Sequence, residues 1–325
     1  MAEAMRPAEA FAACRADLAG GTLDLWPLTC LHPGAVTVNV ALRAGVWVRL
    51  LPGGAPAGRI LHRPPDAEPC ELSGDHAASH LTAAVGFHFV PEGGFSVEVR
   101  EQPPLGSGLG GSSAFAVALA QACLAATGRR RPPARALVAV LHDLEARVLA
   151  APTGVQDYYP ALVGGALAIH FAPGGERVER LRVPPRWIAD RLAVVFTGVT
   201  HASGMVNWDV YRARVDGDRG VAAALDAVAV AAQRTREALL ARDEDAVGRA
   251  VAQEWEARRT LAPAVESEEL RAVIAAGLAS GALAGKACGA GGGGSVLFWV
   301  SPRRREAVVT AVLAAAAPGG CEIPV

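Results

Sequence analysis

The sequence has no long apolar run, no cysteine cluster and almost no net charge, and each lack removes a class of function. Its Ala/Val/Leu stretches are broken by charge every few residues, so none approaches the roughly 20 residues that span a bilayer. The N-terminal stretch MAEAMRPAEAFAAC carries Glu3 and Glu9 where a signal peptide needs uninterrupted apolar residues. The six cysteines, Cys14, Cys30, Cys70, Cys123, Cys288 and Cys321, form no C-x-x-C pair, which is the distribution of reduced, mostly buried thiols. The cytoplasm is therefore the expected compartment, with no membrane partner. A formal net charge of −1 offers no basic field to nucleic acid. Internal repeats are absent as well.

What is present is a globular chain. Its 325 residues are 51% hydrophobic and 19% charged, with 36 Gly and 22 Pro, enough for a substantial core. Alternating and β-branched patterns predict strands at Ala35–Leu51, Phe95–Arg100, Gly164–Phe171, Leu192–Thr197 and Ser295–Val300. Helices are predicted at Ser112–Thr127, with a hydroxyl N-cap, and at Ala134–Ala150, separated by the break Arg129–Pro133. Further helices are expected within Val221–Arg258, at Ser267–Ser280 and near Arg303–Ala317. The class is α+β. The prolines at 184–185 mark a boundary between domains 1–185 and 186–325.

The stretch Pro103-Pro104-Leu105-Gly106-Ser107-Gly108-Leu109-Gly110-Gly111-Ser112-Ser113-Ala114 lies between a predicted strand and a predicted helix. Its glycines let the backbone turn tightly and expose N–H groups, and the helix start adds more, so the segment reads as an anion cradle. It fits G-x-G-x-x-G, but the second strand and acidic residue of a dinucleotide site do not follow, which removes a nicotinamide-dependent oxidoreductase. Ser112 stands where a Walker loop requires Lys, and Gly281–Lys286 is one residue short of such a loop.

The cradle resembles the second motif of the GHMP kinases, P-x-x-x-G-L-G-S-S-A in outline, with Gly111 in place of its first Ser. Arg15-Ala16-Asp17-Leu18-Ala19-Gly20-Gly21-Thr22-Leu23-Asp24 resembles the first motif of the sugar-kinase branch, and Gly289–Ser295 the third. Their order and spacing carry the resemblance across most of the chain.

The resemblance implies a ribosomal-S5-like N-terminal domain and a ferredoxin-like C-terminal domain, with ATP and a small-molecule acceptor between them. It places ATP on Pro104, Gly106, Ser107, Gly108, Leu109, Gly110, Gly111, Ser112, Ser113, Gly291 and Gly292. It places Mg²⁺ on Ser112 and Glu145. Gly154-Val155-Gln156-Asp157-Tyr158-Tyr159 looks like the segment that supplies a catalytic carboxylate, so Asp157 and Arg15 are the expected catalytic pair. Asp17, Gly20, Gly21, Asp24 and Gln156 are expected around the acceptor.

The implied activity is phosphoryl transfer to a sugar or sugar-phosphate hydroxyl, most like the D-glycero-D-manno-heptose 7-phosphate kinases. L-Fucose-like or galactose-like acceptors, and a catalytically silent sensor, stay open, as does homo-oligomerisation. In Thr197-Gly198-Val199-Thr200-His201, His201 replaces an Arg common in that subgroup, which points toward an unphosphorylated acceptor. His76 and His80, with His88 nearby, lack a third ligand and are expected as surface or capping residues. The arginine runs are expected on solvated faces, and the six tryptophans in packing.

Overall fold

The computed structural model describes residues 5–200 and 203–325, with the side chains of 203–206 left aside. Two sheets organise the chain. The larger has seven strands: β1 (Ala8–Ala19), β2 (Val36–Ala57), β3 (Ile60–Arg63), β4 (Cys70–Leu72), β5 (Gly93–Glu101), β6 (Ala166–Ala172) and β7 (Gly175–Arg180). They run in the order β4-β3-β5-β2-β6-β7, with β1 also on β2, and only β3 and β5 pair in parallel. The smaller is wholly antiparallel, from β8 (Leu192–Phe196), β9 (Ala282–Ala287), β10 (Ser295–Val300) and β11 (Cys321–Ile323), in the order β11-β8-β10-β9.

β2 is longer than its β-branched core predicts. It continues through Pro52-Gly53-Gly54, where a register shift against β5 absorbs residues that cannot hold a regular ladder. Val36, Val38 and Val40 are buried, and so are the intervening Thr37 and Asn39, because both faces of the strand are covered there.

The helices are α1 (Leu28–Leu31), α2 (Leu81–Phe89), α3 (Gly111–Ala126), α4 (Ala134–Leu149), α5 (Tyr158–Val163), α6 (Pro185–Ala189), α7 (Ser203–Val215), α8 (Arg219–Ala241), α9 (Glu244–Arg258), α10 (Glu268–Ala279) and α11 (Arg305–Ala315). α3 is rich in Ala, with Val and Leu, and it packs against β1, β2 and α2, buried on nearly every side. Small side chains let it approach both strands closely. Its N-cap differs from expectation: Gly110, in the left-handed region at φ 72°, precedes a helix that begins at Gly111. No Cβ competes there with the tight turn.

α8 and α9 are joined at Arg242 and capped by Asp218 and Asp243, whose carboxylates accept from Val221 N and Ala246 N, each at 2.9 Å. They bring the sheets together: α8 packs on β1 and β2, and α9 on β9. Arg236 of α8 grips Glu179 of β7 through two bonds of 2.7 Å. Cys14, Cys123 and Cys288 are buried, but Cys30, Cys70 and Cys321 are exposed, so half the thiols depart from the expected burial. Among the described residues, no helix is long and apolar enough to cross a membrane.

Candidate active site

A cleft of about 1120 Å³ opens between the glycine loop, the first-motif turn, α7 and the start of the third-motif loop. Ridges of left-handed glycine build its floor. Gly106, Gly108 and Gly110 have φ of 69°, 72° and 72°, so successive peptide N–H groups turn toward one side, as in an anion nest. Leu109 points inward and is fully buried, pinning the loop to the core. The first turn of α3 adds N–H groups without intrahelical partners and the positive end of its dipole.

Arg15 and Asp157 meet on this floor. Arg15 extends from β1, where its N–H bonds to Leu109 O at 3.0 Å. Its Nε donates to Asp157 Oδ1 at 2.7 Å and its Nη1 to the Gly108 carbonyl at 2.6 Å. Burial opposes the guanidinium charge, but Asp157 and then Asp17 more than compensate, and its pKa is raised. Asp157 begins α5 and stays partly open to the cleft. A Cβ at Gly110 would stand 3.0 Å from its carboxyl group, so glycine there lets the carboxylate lie against the loop backbone.

Glu145 projects from the buried face of α4. Ser113 Oγ donates to its Oε2 at 3.0 Å, and the Tyr158 hydroxyl donates to the same oxygen. Burial first, and then the charge of Glu145, raises the Tyr158 phenol strongly. Ser112, the expected partner of Glu145, lines the cleft but is exposed one residue away, its side chain turned to solvent by the helical rotation of about 100° per residue. The hydroxyl that reaches Glu145 is that of Ser113. Glu145 Oε1 makes no bond among the described residues and is free for a hard cation.

Asp24 and Gln156 lie at the other end of the floor. Asp24 Oδ2 accepts from Gln156 N at 3.1 Å. Burial, and then the charge of Asp157, lifts its pKa to about 6. Beside it, Thr22 has φ +73°, a conformation rarely held by a β-branched residue. Its hydroxyl accepts from Arg258 Nη1 and donates to Asn207 Oδ1, both at 3.3 Å.

Three expected acceptor residues are instead supports behind the wall. Asp17 is fully buried, with its Oδ1 accepting from Gly289 N at 2.9 Å. Lys286, the single lysine of the sequence, lies 3.5 Å from Asp17 Oδ2 and 3.0 Å from Glu254 Oε2. Arg258 grips Glu254 Oε1 through bonds of 2.8 and 2.7 Å. Gly20 N donates to Glu254, and Gly21 O accepts from Arg258, so this balanced cluster fixes the first-motif turn. Burial opposes the charge of Asp17, but Lys286 and then Arg15 and Arg258 hold its pKa down.

The third-motif loop divides between the cleft and its support. Gly289 and Ala290 reach the cleft, whereas Gly291 and Gly292 turn back, with Gly292 N bonding to Val265 O at 2.8 Å. They stiffen the loop that supports the cradle, through Ser295 N donating to Ser107 O at 2.8 Å. His201 lies outside the described residues.

The far end of the cleft is apolar, lined by Val46, Leu81, Val99, Pro103 and Phe115, with His62 and His80 at its edge. His80 caps α2, accepting from Thr82 N at 3.2 Å, and His76 caps the 3-10 turn before it, as expected of these histidines. Burial, and then His80, pushes His62 down to about 4, so it is neutral near pH 7. Sequence reasoning passed over His62 and Phe115, which lie far apart along the chain, and took Trp208 for packing. Trp208 stacks on Tyr211 at 5.4 Å and 13° and lines the cleft while 45% exposed.

A two-sheet fold whose joint holds an anion cradle, an Arg–Asp pair and a buried carboxylate with a free oxygen defines a class of proteins built to handle phosphate esters. The chain belongs to the GHMP kinases. The family's N-terminal domain model matches residues 75–165 and its C-terminal model residues 235–318, together more than half of the chain. A D-glycero-alpha-D-manno-heptose 7-phosphate kinase of Campylobacter jejuni is 28% identical over 225 residues, 67% of this chain and 65% of that relative, so the match spans just under two thirds of its length. Among solved structures, a D-glycero-D-manno-heptose 1-phosphate kinase of Bacteroides thetaiotaomicron superposes with TM-score 0.72 at 22% identity, over 97% of this chain and 94% of that one. A Lactococcus lactis galactokinase complexed with galactose gives 0.76 at 14%, over 98% and 94%. The α+β class and the two-domain GHMP kinase fold expected from the sequence are both found.

Proposed function

We propose that this protein transfers the γ-phosphoryl group of ATP to a hydroxyl of a sugar or sugar phosphate, as the names of its heptose-kinase relatives suggest. Residues 1–185 form the ATP-binding domain and 186–325 the C-terminal domain. The observation that carries the reading is the Arg15–Asp157 pair, bonded at 2.7 Å on the floor of the glycine-loop cleft. The base of ATP fits the apolar end beside Phe115, and its phosphates fit the N–H groups of the loop and of α3.

Asp157 accepts the proton of the acceptor hydroxyl as that oxygen bonds to the γ-phosphorus. The bridging P–O bond breaks and ADP leaves. Arg15, fixed at two points, neutralises charge spreading on the transferred group. Glu145 Oε1, with Ser113 beside it and Ser112 at the mouth, suits a Mg²⁺ ion that keeps several waters. When bound, such an ion offsets the negative charge of the nucleotide phosphates.

The test is ADP release from Mg-ATP across a panel of free and phosphorylated sugars, beside Asp157→Ala. Acceptor-dependent turnover should fall by about 10²–10⁴-fold in the variant. Turnover that survives the substitution removes Asp157 from the chemistry. ATP binding without turnover on any acceptor favours a sensor.

A further inference from the structure

The acceptor end of the cleft carries an unusual balance of charge. Asp24 and Asp157 face it with two carboxylates. Among the described residues of the whole cleft wall, Arg15 is the one arginine or lysine, and it is engaged by Asp157 and the Gly108 carbonyl. Other cations around this end are engaged elsewhere. Lys286 and Arg258 are buried behind the wall on Asp17 and Glu254. Arg214 of α7 donates its Nε to His32 at 3.0 Å, away from the cleft. Residues 201–206 read His-Ala-Ser-Gly-Met-Val and contain neither Arg nor Lys.

What this end does offer is suited to a neutral polyol. The stacked Trp208–Tyr211 pair presents an aromatic face to the cleft, complementary to the C–H face of a pyranose ring. Asn207 and Thr22 supply an amide and a hydroxyl already linked to each other. Gln156 Oε1 and Thr153 Oγ1 are buried at the wall without a hydrogen-bond partner, acceptors that hydroxyl groups could satisfy. A phosphate monoester here would lie beside two carboxylates with no free cation among the described residues to offset it.

We infer that the acceptor is an uncharged sugar or related polyol, laid on Trp208 with its hydroxyl groups on Asn207, Thr22 and Asp24. This assignment rests on the phosphotransfer reading and narrows its substrate class. It separates this chain from relatives named for phosphorylated heptoses.

The experiment compares matched pairs with the full-length protein and Mg-ATP: mannose against mannose 6-phosphate, galactose against galactose 1-phosphate, and D-glycero-D-manno-heptose against its 7-phosphate. In any pair that turns over, the free sugar should have kcat/KM at least about 100-fold above its phosphate. Preference for the phosphorylated member overturns the inference. Trp208→Ala, at an exposed position, should raise the acceptor KM about 10-fold and leave the KM for ATP unchanged. Equal changes in both, or none, remove the ring platform.

Should no acceptor turn over, phosphotransfer itself fails, and calorimetric titration of the same pairs against the ADP-loaded protein decides the remaining question. Binding of a free sugar over its phosphate sustains the assignment. Binding of the phosphate instead, or of neither, ends it.

Discussion

Replacing Lys286 by methionine would take one positive charge out of a buried group of four, beside which Arg15 lies 3.9 Å from Asp17 Oδ1. Asp17, Glu254, Lys286 and Arg258 are all buried and formally cancel. Methionine keeps most of the aliphatic stem, so the change is one of charge more than volume. It leaves Glu254 Oε2 without its ion partner at 3.0 Å and Asp17 Oδ2 without its partner at 3.5 Å. Neither oxygen has another hydrogen bond to fall back on. Breaking a buried pair from one side costs about 3–5 kcal/mol. At roughly 2 °C per kcal/mol for a chain of this size, Tm should fall by about 6–10 °C.

The pH dependence identifies the cause. In the unaltered protein Asp17 has a depressed pKa, so its contribution is present above the unfolded value near 3.8 and fades as pH falls through the folded one. Without Lys286 only Arg15, Arg258 and the Gly289 N–H oppose the burial of Asp17, so its folded pKa rises and the loss falls on the ionised carboxylate, which acid relieves. The Tm deficit of Lys286→Met should therefore be largest near pH 8 and shrink toward about pH 5 in scanning calorimetry. Adding Asp17→Asn should recover about 1–3 kcal/mol. A deficit that stays constant with pH, or a double variant showing the full sum of both losses, would refute this account of the cluster.

Two further outcomes follow from the site. The buried Asp24 carboxyl, raised from 3.8 to about 6, costs about 3 kcal/mol when ionised, and that cost is complete above pH 6 and gone below about pH 4. Asp24→Asn should thus melt higher than the parent near pH 7, lose that advantage on acidification, and bind acceptor more weakly; a pH-independent difference in melting contradicts it. Gly108→Ala should raise the KM for ATP at least 10-fold, since φ is +72° and a Cβ would stand 2.7 Å from the Cys288 carbonyl oxygen; unchanged nucleotide titrations would show that the loop tolerates the shift.

The glycine loop was legible because its chemistry is local: consecutive glycines before a helix declare a cradle without knowledge of the rest of the chain. Asp157 and Arg15 were named through the family motifs, and the fold brings them together across 142 residues. The placements that the sequence could not supply have a common origin. Ser112 and Ser113 are adjacent on a helix, and which of them faces Glu145 depends on where α3 starts, which the left-handed Gly110 decides. Asp17, Gly20 and Gly21 belong to the motif but sit under the wall, because Glu254, Arg258 and Lys286 arrive from the other sheet's side to cover them. Glu254 and Arg258, four apart on a helix, look in sequence like any solvated pair. Trp208 and Tyr211, three apart, look like an ordinary helical face until α7 is laid over the cleft.

The burial of Lys286 also makes the protein its own chemical reporter. This sequence holds no other lysine, so in the folded state no ε-amine is open to an acylating reagent. Any label found on that side chain must have been acquired while the cluster was apart. The rate of labelling at one residue thus counts openings of the joint between the two sheets, and a ligand that draws the cleft together should slow it in proportion to its occupancy.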